Sequence, residues 1–458
     1  MIENDAFKLL LINLFHLNPD DIANILCTTF NKMMVLLVTL ADKHQACPYC
    51  GFTAPKIKEY VTKEITHSAL TTQKCIIKYR ARRYKCSCCG KTYYEFNPFV
   101  FKSQKISILT VHNILKDLKD FNETFTSVAR RYHVSPTSVS TIFDNHVDIG
   151  RNPLPEIINF DEVYAFKSEK SKYVCVLLDF KKQIPVDVLP NRKKEYLLNY
   201  FQKIPLEERK KVKYACSDMY EVYRDVVHKV FPESKHLLDY FHLSQDFHKK
   251  MNEVRIKVMK GYKDDKASDE YYLLKKFNWL LFKNPEDEDK YGRLFDVERE
   301  RKYNSHFKSY MNYYDLRKKI LEINNDLTIC YSLKLELVDF YSKSTIDNAQ
   351  VNLEHLIRSF IDTNIEEMIK FSNNLINWKQ EIINSFTIVG TEYKVEADKG
   401  QVVVCNKKVN NAIIENRNKI IKCIKNNANG YTNWSRFRNR VMYVLDPNAT
   451  FSLEPREK

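Results

Sequence analysis

"IINFDEVYAF", residues 157–166, carries two adjacent acids, Asp161 and Glu162, inside a largely apolar run. A buried strand gains nothing from a carboxylate, which resists leaving water unless it is paired or bound to a cation. The stretch therefore predicts a strand that ends at a functional edge. Alternation along a strand sends neighbouring side chains to opposite faces, so the two acids cannot both point into one site. Asp161 is the candidate and Glu162 the alternative.

Strand-like runs follow at "KYVCVLLDF" (172–180), "IPVDVLP" (184–190) and "KYACSDMY" (213–220), with helical patterns after them. Three strands, a helix and a further strand ending at Asp218 predict a mixed α/β sheet that resembles the ribonuclease H-like core. In that architecture the first and fourth strands are neighbours, so Asp161 and Asp218 would converge. Two such carboxylates repel unless a cation lies between them, which points to a divalent metal rather than an acid–base dyad. Two-metal phosphoryl transfer needs oxygens around a pair of ions about 4 Å apart, so a third acid is expected. Glu415 is the candidate, because helical spacing puts Asn411, Glu415, Asn418 and Lys422 on one face. From 416 to 445 there is no acid but seven Lys and Arg, so a lone acid balancing local charge is the alternative. In "HLLDYFHLSQDFHKK" (236–250), Asp239 and His242 lie near a fifth strand's end. They are secondary active-site candidates that could orient a metal ligand or a phosphate; a helix cap and a core or surface role compete with this.

Two modules precede this core. "CPYCG" (47–51) and "CSCCG" (86–90) place Cys47, Cys50, Cys86 and Cys89 in two Cys-x-x-Cys turns, each followed by Gly, as a tetrahedral Zn²⁺ site requires. Buried or redox thiols are the alternative. Between them "CIIKYRARRYKC" alternates like a strand with a basic face, which makes Arg82 and Arg83 candidate DNA contacts. "TFTSVARRYHVSPTSVSTIFDNH" (124–146) reads as a helix-turn-helix, with Ser135 capping a second helix that has Pro136 at its first position. Thr137, Ser138, Ser140 and Thr141 would face a major groove, and Arg130 and Arg131 would meet phosphates. His133 stands where such turns usually have Gly, and an ordinary helical hairpin with a solvated basic face is the alternative.

Among 458 residues, 73 Lys and Arg outweigh 58 Asp and Glu, a balance suited to a polyanion such as DNA. Only 8 Gly and no Gly-rich run make a nucleotide-cradling loop improbable. The most apolar run, "MMVLLVTLA" (33–41), is too short for a membrane helix, and the start lacks the features of a secretory signal. A cytoplasmic protein without a membrane partner is expected. The expected organisation is multidomain α+β. An N-terminal helical and strand segment covers 1–45, the zinc-binding module 46–97, and the helix-turn-helix 98–150. The first part of the catalytic core covers 151–250, an all-helical insertion 251–400, the final catalytic helix with a basic segment 401–445, and a tail 446–458.

Taken in order, the two Cys pairs, "SVARRYHVSPTSVS", "NFDEVYAF", "SDMYEVYRDVVHKVFPESKHLLDYFH" and "ENRNKIIKCIKNNANGYTNWSRFRNR" resemble the DDE transposases of the ISL-three insertion-sequence family. The resemblance implies that Asp161, Asp218 and Glu415 are the catalytic acids and hold two Mg²⁺ or Mn²⁺ per active site. It also implies that Asp239 and His242 belong to a D-x-F-H segment typical after the second acid. Asn416 stands where the family has Gly. Lys419 and Lys422, beside Glu415, join the DNA contacts. The implied partners are double-stranded DNA, as terminal inverted repeats and as target, and a second protomer, since paired ends need a homodimer. A catalytically silent DNA-binding regulator derived from such an enzyme is the alternative function.

Overall fold

The apolar run at 33–40 forms a strand in the computed structural model, which describes residues 2–43, 45–101, 104–166, 171–395 and 402–456. Helix α1 (Ile2–Leu14) packs Leu11, Ile12 and Phe15 on a sheet of β1 (Ile22–Phe30), β2 (Met33–Leu40), β3 (Lys56–Thr66), β4 (Cys75–Lys85) and β5 (Thr92–Tyr94). The order is β1-β2-β4-β3, with β5 beside β4. Because β2 pairs in parallel with β4, one sheet spans the division expected at residue 45. The N-terminal segment and the cysteine module are one unit.

Three helices follow, α2 (Ile108–Asp117), α3 (Phe125–Arg131) and α4 (Pro136–His146). Ser107, Thr124 and Ser135 cap them through their side-chain oxygens. His133 takes the left-handed conformation, φ 54°, in the turn between α3 and α4, where a Gly would be unstrained. The core of this unit includes Ile114, Val128, Val139 and Phe143, together with Tyr443 from the far end of the chain.

The central sheet contains β6 (Ile157–Val163), β7 (Val174–Asp179), β8 (Ile184–Leu189), β9 (Tyr214–Ser217) and β10 (Lys235–Leu238), in the order β10-β9-β6-β7-β8. β6, β7 and β8 are antiparallel neighbours, while β9 and β10 run parallel to β6. Helices α5 (Lys194–Gln202), α6 (Leu206–Arg209) and α7 (Glu221–Val230) follow β8 and β9, and α5 and α7 cover the face that carries Ile158 and Phe160.

From β10 the chain enters α8 (Tyr240–Lys260), whose Leu243, Phe247 and Met251 begin the core of a second domain. That domain contains α9 (Asp269–Lys276), the hairpins β11 (Glu288–Asp289)–β12 (Gly292–Arg293) and β13 (Lys302–Asn304)–β14 (Ser309–Met311), and helices α10 (Tyr313–Glu322), α11 (Asn325–Lys343), α12 (Ala349–Ile361), α13 (Glu366–Asn377) and α14 (Lys379–Asn384). The insertion is therefore not all helical. Residues 285–311 lack a continuous apolar stripe and pair as short strands, and a longer hairpin, β15 (Ile388–Val395) and β16 (Val402–Lys408), leads back to the sheet.

The last helices, α15 (Ala412–Asn427) and α16 (Trp434–Leu445), cover the sheet face opposite α5 and α7 through Ile414, Ile421, Phe437 and Val441. Residues 446–456 are no free tail. Ser452 exchanges hydrogen bonds with His146, and Lys119 Nζ donates to the carbonyls of Asp446 and Ala449 at 2.8 and 2.6 Å. No helix among the described residues is long and apolar enough to cross a membrane.

Candidate active site and metal centres

Parallel register brings three acids to one edge. Asn159 of β6 lies opposite Cys216 of β9, and Ser217 lies opposite Leu238 of β10. Continuing each register by one or two residues sets Asp161, in the last half of β6, beside Asp218 and Asp239, which directly follow β9 and β10. Alternation holds as expected. Asp161 is on the α15 face, while Glu162 faces the other side and pairs with Arg192 from the loop after β8.

An asparagine network docks α15 over this edge. Asn159 Nδ2 donates to Asn410 O (2.8 Å) and Asn411 Oδ1 (2.7 Å), and Asn411 Nδ2 donates to Phe160 O (3.3 Å). The Asn411 backbone N–H donates to Asp239 Oδ1 at 3.2 Å, and Asn418 Nδ2 donates to Asp161 Oδ2 at 2.7 Å. Helical spacing between Asn411 and Asn418 holds Glu415 at the same edge. Its Oε1 lies 4.0 Å from His242 Nε2, which lies 3.8 Å from Asp239 Oδ2. Asp239, His242 and Glu415 offer ligand atoms that all fall within 4.8 Å of one another.

Burial makes this edge uncomfortable for carboxylates. It pushes Asp161 up to about 7, against which the Glu162 backbone N–H acts, and Asp218 adds to the rise. Burial and then the nearby Glu162 carboxylate push Asp218 up to about 6, and burial raises Asp239. Asp218 Oδ1, Asp239 Oδ2 and His242 Nε2 are buried without hydrogen-bond partners. Each such orphan costs about 1–3 kcal/mol, a penalty that a bound cation would remove. Carboxylate oxygens are the donors that hard divalent cations take, so the residues present fit the ions that the sequence implied.

The four cysteines form a second centre. Cys47 Sγ lies 3.7 Å from Cys89 Sγ, and Cys50 Sγ lies 3.5 Å from Cys86 Sγ. Sulfurs around a tetrahedral Zn²⁺ at about 2.3 Å stand about 3.8 Å apart, so this cluster could hold zinc. Gly51 and Gly90 take the left-handed φ of 75° and 71° that closes each turn. Backbone N–H groups of Cys89 and Cys88 pull the Cys86 thiol down to about 6, whereas Cys50 and Cys89 are raised, the N–H groups of Phe52 and Lys91 being outweighed by burial and the thiols beside them. His67 is committed elsewhere, to Ser107 Oγ and Phe15 O.

The basic candidates divide. Arg82 is held by Glu95 (2.8 Å) and the Leu40 carbonyl (3.1 Å), and Arg131 by Asp117 and Glu123, so both guanidinium groups serve the protein itself. Arg83 pairs with Glu59 at a more open position. Arg130, Thr137, Thr141, Lys419 and Lys422 are exposed, and Ser138 and Ser140 are half-buried on α4. The C-terminal arginines are internal clamps rather than a basic surface. Arg436 binds Asp144, Arg438 binds Asp187, and the buried Arg440 donates to the carbonyls of Asp120 and Glu123. Spacing hid this, because each partner lies hundreds of residues away. Arg192 and Asn159 were also missed; Asn159 carried a signal, being polar and two residues before Asp161 on the same face.

A family model described as transposase, of the DDE ISL-three type, matches residues 158–397, just over half of the chain. The chain belongs to the ISL-three family of insertion-sequence transposases. The matched segment of this transposase contains Asp161, Asp218, Asp239 and His242 and stops before Glu415. The transposase for insertion sequence element IS1001 of Bordetella parapertussis is 19% identical over 410 residues, which cover 89% of this chain and 90% of that relative.

Proposed function

We propose that the chain recognises the terminal inverted repeats of its element and cuts and rejoins DNA phosphodiester bonds at Asp161, Asp218 and Glu415, on the edge of a ribonuclease H-like sheet. The observation that carries this reading is the adjacency of Asp161 and Asp218 on neighbouring parallel strands, with Glu415 docked over them through Asn411 and Asn418. Two Mg²⁺ or Mn²⁺ ions, when bound, lower the pKa of an attacking water or 3′-hydroxyl and stabilise the leaving 3′-oxygen. Asp161, Asp218 and Glu415 are the oxygen ligands. Asn418 fixes the rotamer of Asp161, and Arg192 neutralises Glu162 beside Asp218. Burial of the edge keeps bulk water away from the reacting phosphate.

Recognition falls to the N-terminal modules. The cysteine cluster holds a structural zinc ion, and α3 and α4 form a helix-turn-helix in which Thr137, Ser138, Ser140 and Thr141 read base edges and Arg130 fixes register on phosphate. Lys419 and Lys422 meet the backbone of the DNA near the cut, and Arg83 meets it near the cysteine module. Pairing of two ends in a homodimer completes the active assembly. The test is cleavage of a duplex that carries an element end, with Mg²⁺ or Mn²⁺, followed on a sequencing gel for wild type and for Asp161→Ala, Asp218→Ala and Glu415→Ala. Wild type should release a 3′-hydroxyl end and each variant should lose at least about a thousandfold in rate, as loss of a metal clamp on phosphoryl transfer implies. Unchanged cleavage by a variant removes that residue from the site.

A further inference from the structure

We propose that His242 is itself a metal ligand, so that Asp239, His242 and Glu415 form one half of the metal site with a nitrogen donor, and that this half prefers Mn²⁺ to Mg²⁺. The inference rests on the reading of this edge as a divalent-metal centre and adds the composition and selectivity of one of its two positions.

The geometry comes from the junction of β10 and α8. Asp239 is the N-cap of α8 and His242 lies three residues on, so both side chains share the helix face at the sheet edge. The backbone N–H of Asn411 holds Asp239 Oδ1, which leaves Oδ2 as the free oxygen. That oxygen lies 3.8 Å from His242 Nε2, and Glu415 Oε1 lies 4.0 Å from the same nitrogen. Hydrogen bonds would have drawn these atoms to about 2.9 Å. Ligands bound to one ion at about 2.1–2.2 Å stand about 3 Å apart when adjacent and about 4.4 Å apart when opposite, which brackets both separations. Asp239 is 3% exposed, and both its Oδ2 and His242 Nε2 are buried without hydrogen-bond partners. A carboxylate oxygen and an imidazole nitrogen, buried, unpartnered and at ligand spacing, are what a cation site presents before it is filled.

The donor set decides which ion. Mg²⁺ holds to oxygen ligands and its own waters, which it gives up reluctantly, whereas Mn²⁺ also favours oxygen but, as the first of the transition metals in the affinity order for mixed nitrogen and oxygen sites, accepts an imidazole at less cost. The oxygens of Asp161 and Asp218 discriminate less. His242 therefore makes the two positions unequal.

Pulsed electron paramagnetic resonance of Mn²⁺ bound to the full, zinc-loaded chain tests this directly. Wild type should show ¹⁴N modulation from a directly bound imidazole, shifting to the ¹⁵N pattern when histidine is isotopically labelled. His242→Gln should lose the modulation and weaken Mn²⁺ binding at that position at least about tenfold, since even outer-shell partners of metal ligands are worth that much. His242→Asp, which offers oxygen in place of nitrogen, should keep a bound ion without ¹⁴N modulation and narrow the preference for Mn²⁺ over Mg²⁺. Mn²⁺ bound in wild type without nitrogen coupling, or with coupling that survives both substitutions, overturns the inference while leaving the carboxylate centre intact. No Mn²⁺ bound near Asp161 and Asp218 at all overturns the centre itself, and the inference with it.

Discussion

Replacing Asp161 by Asn should stabilise the metal-free protein at pH 8. Burial holds the Asp161 carboxyl at about 7 against an ordinary 3.8, so the folded chain keeps a proton that the unfolded chain releases between those values. A group whose folded pKa is raised contributes stability at low pH and loses it as pH rises through the folded value. The difference of about 3 pKa units, at about 1.4 kcal/mol each, sets an upper bound of about 4 kcal/mol at pH 8. An amide of the same shape escapes this penalty. Its oxygen can accept the Glu162 N–H, and its NH₂ can meet Asn418 Oδ1, which has no hydrogen-bond partner and reaches the position by a flip of the Asn418 amide. For a domain of this size, that bound corresponds to a melting rise of up to about 10 °C. The assay is thermal unfolding of wild type and Asp161→Asn at pH 5 and pH 8, in buffer free of divalent metal but without chelator, so that the cysteine centre is undisturbed. The variant should lead at pH 8, lead by less than half as much at pH 5, which is only about one unit above the unfolded value, and match near pH 3; millimolar Mn²⁺ should narrow or reverse the order at pH 8 by stabilising wild type more than the variant. A variant less stable than wild type at pH 8 without divalent metal, or an equal response of both proteins to Mn²⁺, refutes the reasoning.

Cys86→Ser should lose bound zinc, measured by elemental analysis, together with recognition of element ends; one zinc per chain retained after the change contradicts the ligand set. Arg438→Ala takes from the buried Asp187 the guanidinium that contacts it at 2.7 Å, leaving the Tyr200 hydroxyl and the Val188 N–H as its partners, and should cost about 2–4 kcal/mol in denaturant unfolding; a loss below about 1 kcal/mol contradicts a clamp role. Arg130→Ala should weaken binding to end and unrelated duplexes alike and lower the salt slope by about one, whereas Thr137→Ala should affect end DNA alone. Arg131→Ala should instead lower stability, because it ties together two half-buried acids, Asp117 and Glu123, of the three-helix unit. An Arg131 variant of full stability with the Arg130 phenotype reverses that assignment.

The strands of the central sheet and the caps of the three-helix unit were legible because they follow local rules. Alternation in "IINFDEV" separated Asp161 from Glu162, and Ser135 with Pro136 marked a helix start that the structure keeps. The two Cys-x-x-Cys turns were legible for the same reason, since each ligand pair is local. What spacing could not supply were partners across the fold. Nothing in "NWSRFRNR" shows that Arg436, Arg438 and Arg440 lock onto Asp144, Asp187 and two carbonyls, so the stretch read only as a basic segment. The division at residue 45 failed because β2 and β4 pair over a separation that no local pattern encodes. The short hairpins at 288–311 lie among charged and aromatic residues whose strand pairing is too brief to leave a period. Asn411 and Asn418 were placed on the right face of α15, but their role in holding Asp239 and Asp161 exists only once β6 and β10 are beside them.

The central claim is that the edge formed by Asp161, Asp218, Asp239, His242 and Glu415 holds a pair of divalent cations. Anomalous diffraction from crystals of the full chain soaked in Mn²⁺ tests it most directly. Two Mn²⁺ peaks about 4 Å apart are expected, one bound by Asp161 and Asp218 and the other within bonding distance of Asp239, His242 and Glu415. Well-ordered crystals that bind Mn²⁺ elsewhere but show no peak within coordination distance of Asp161 or Asp218 would contradict it.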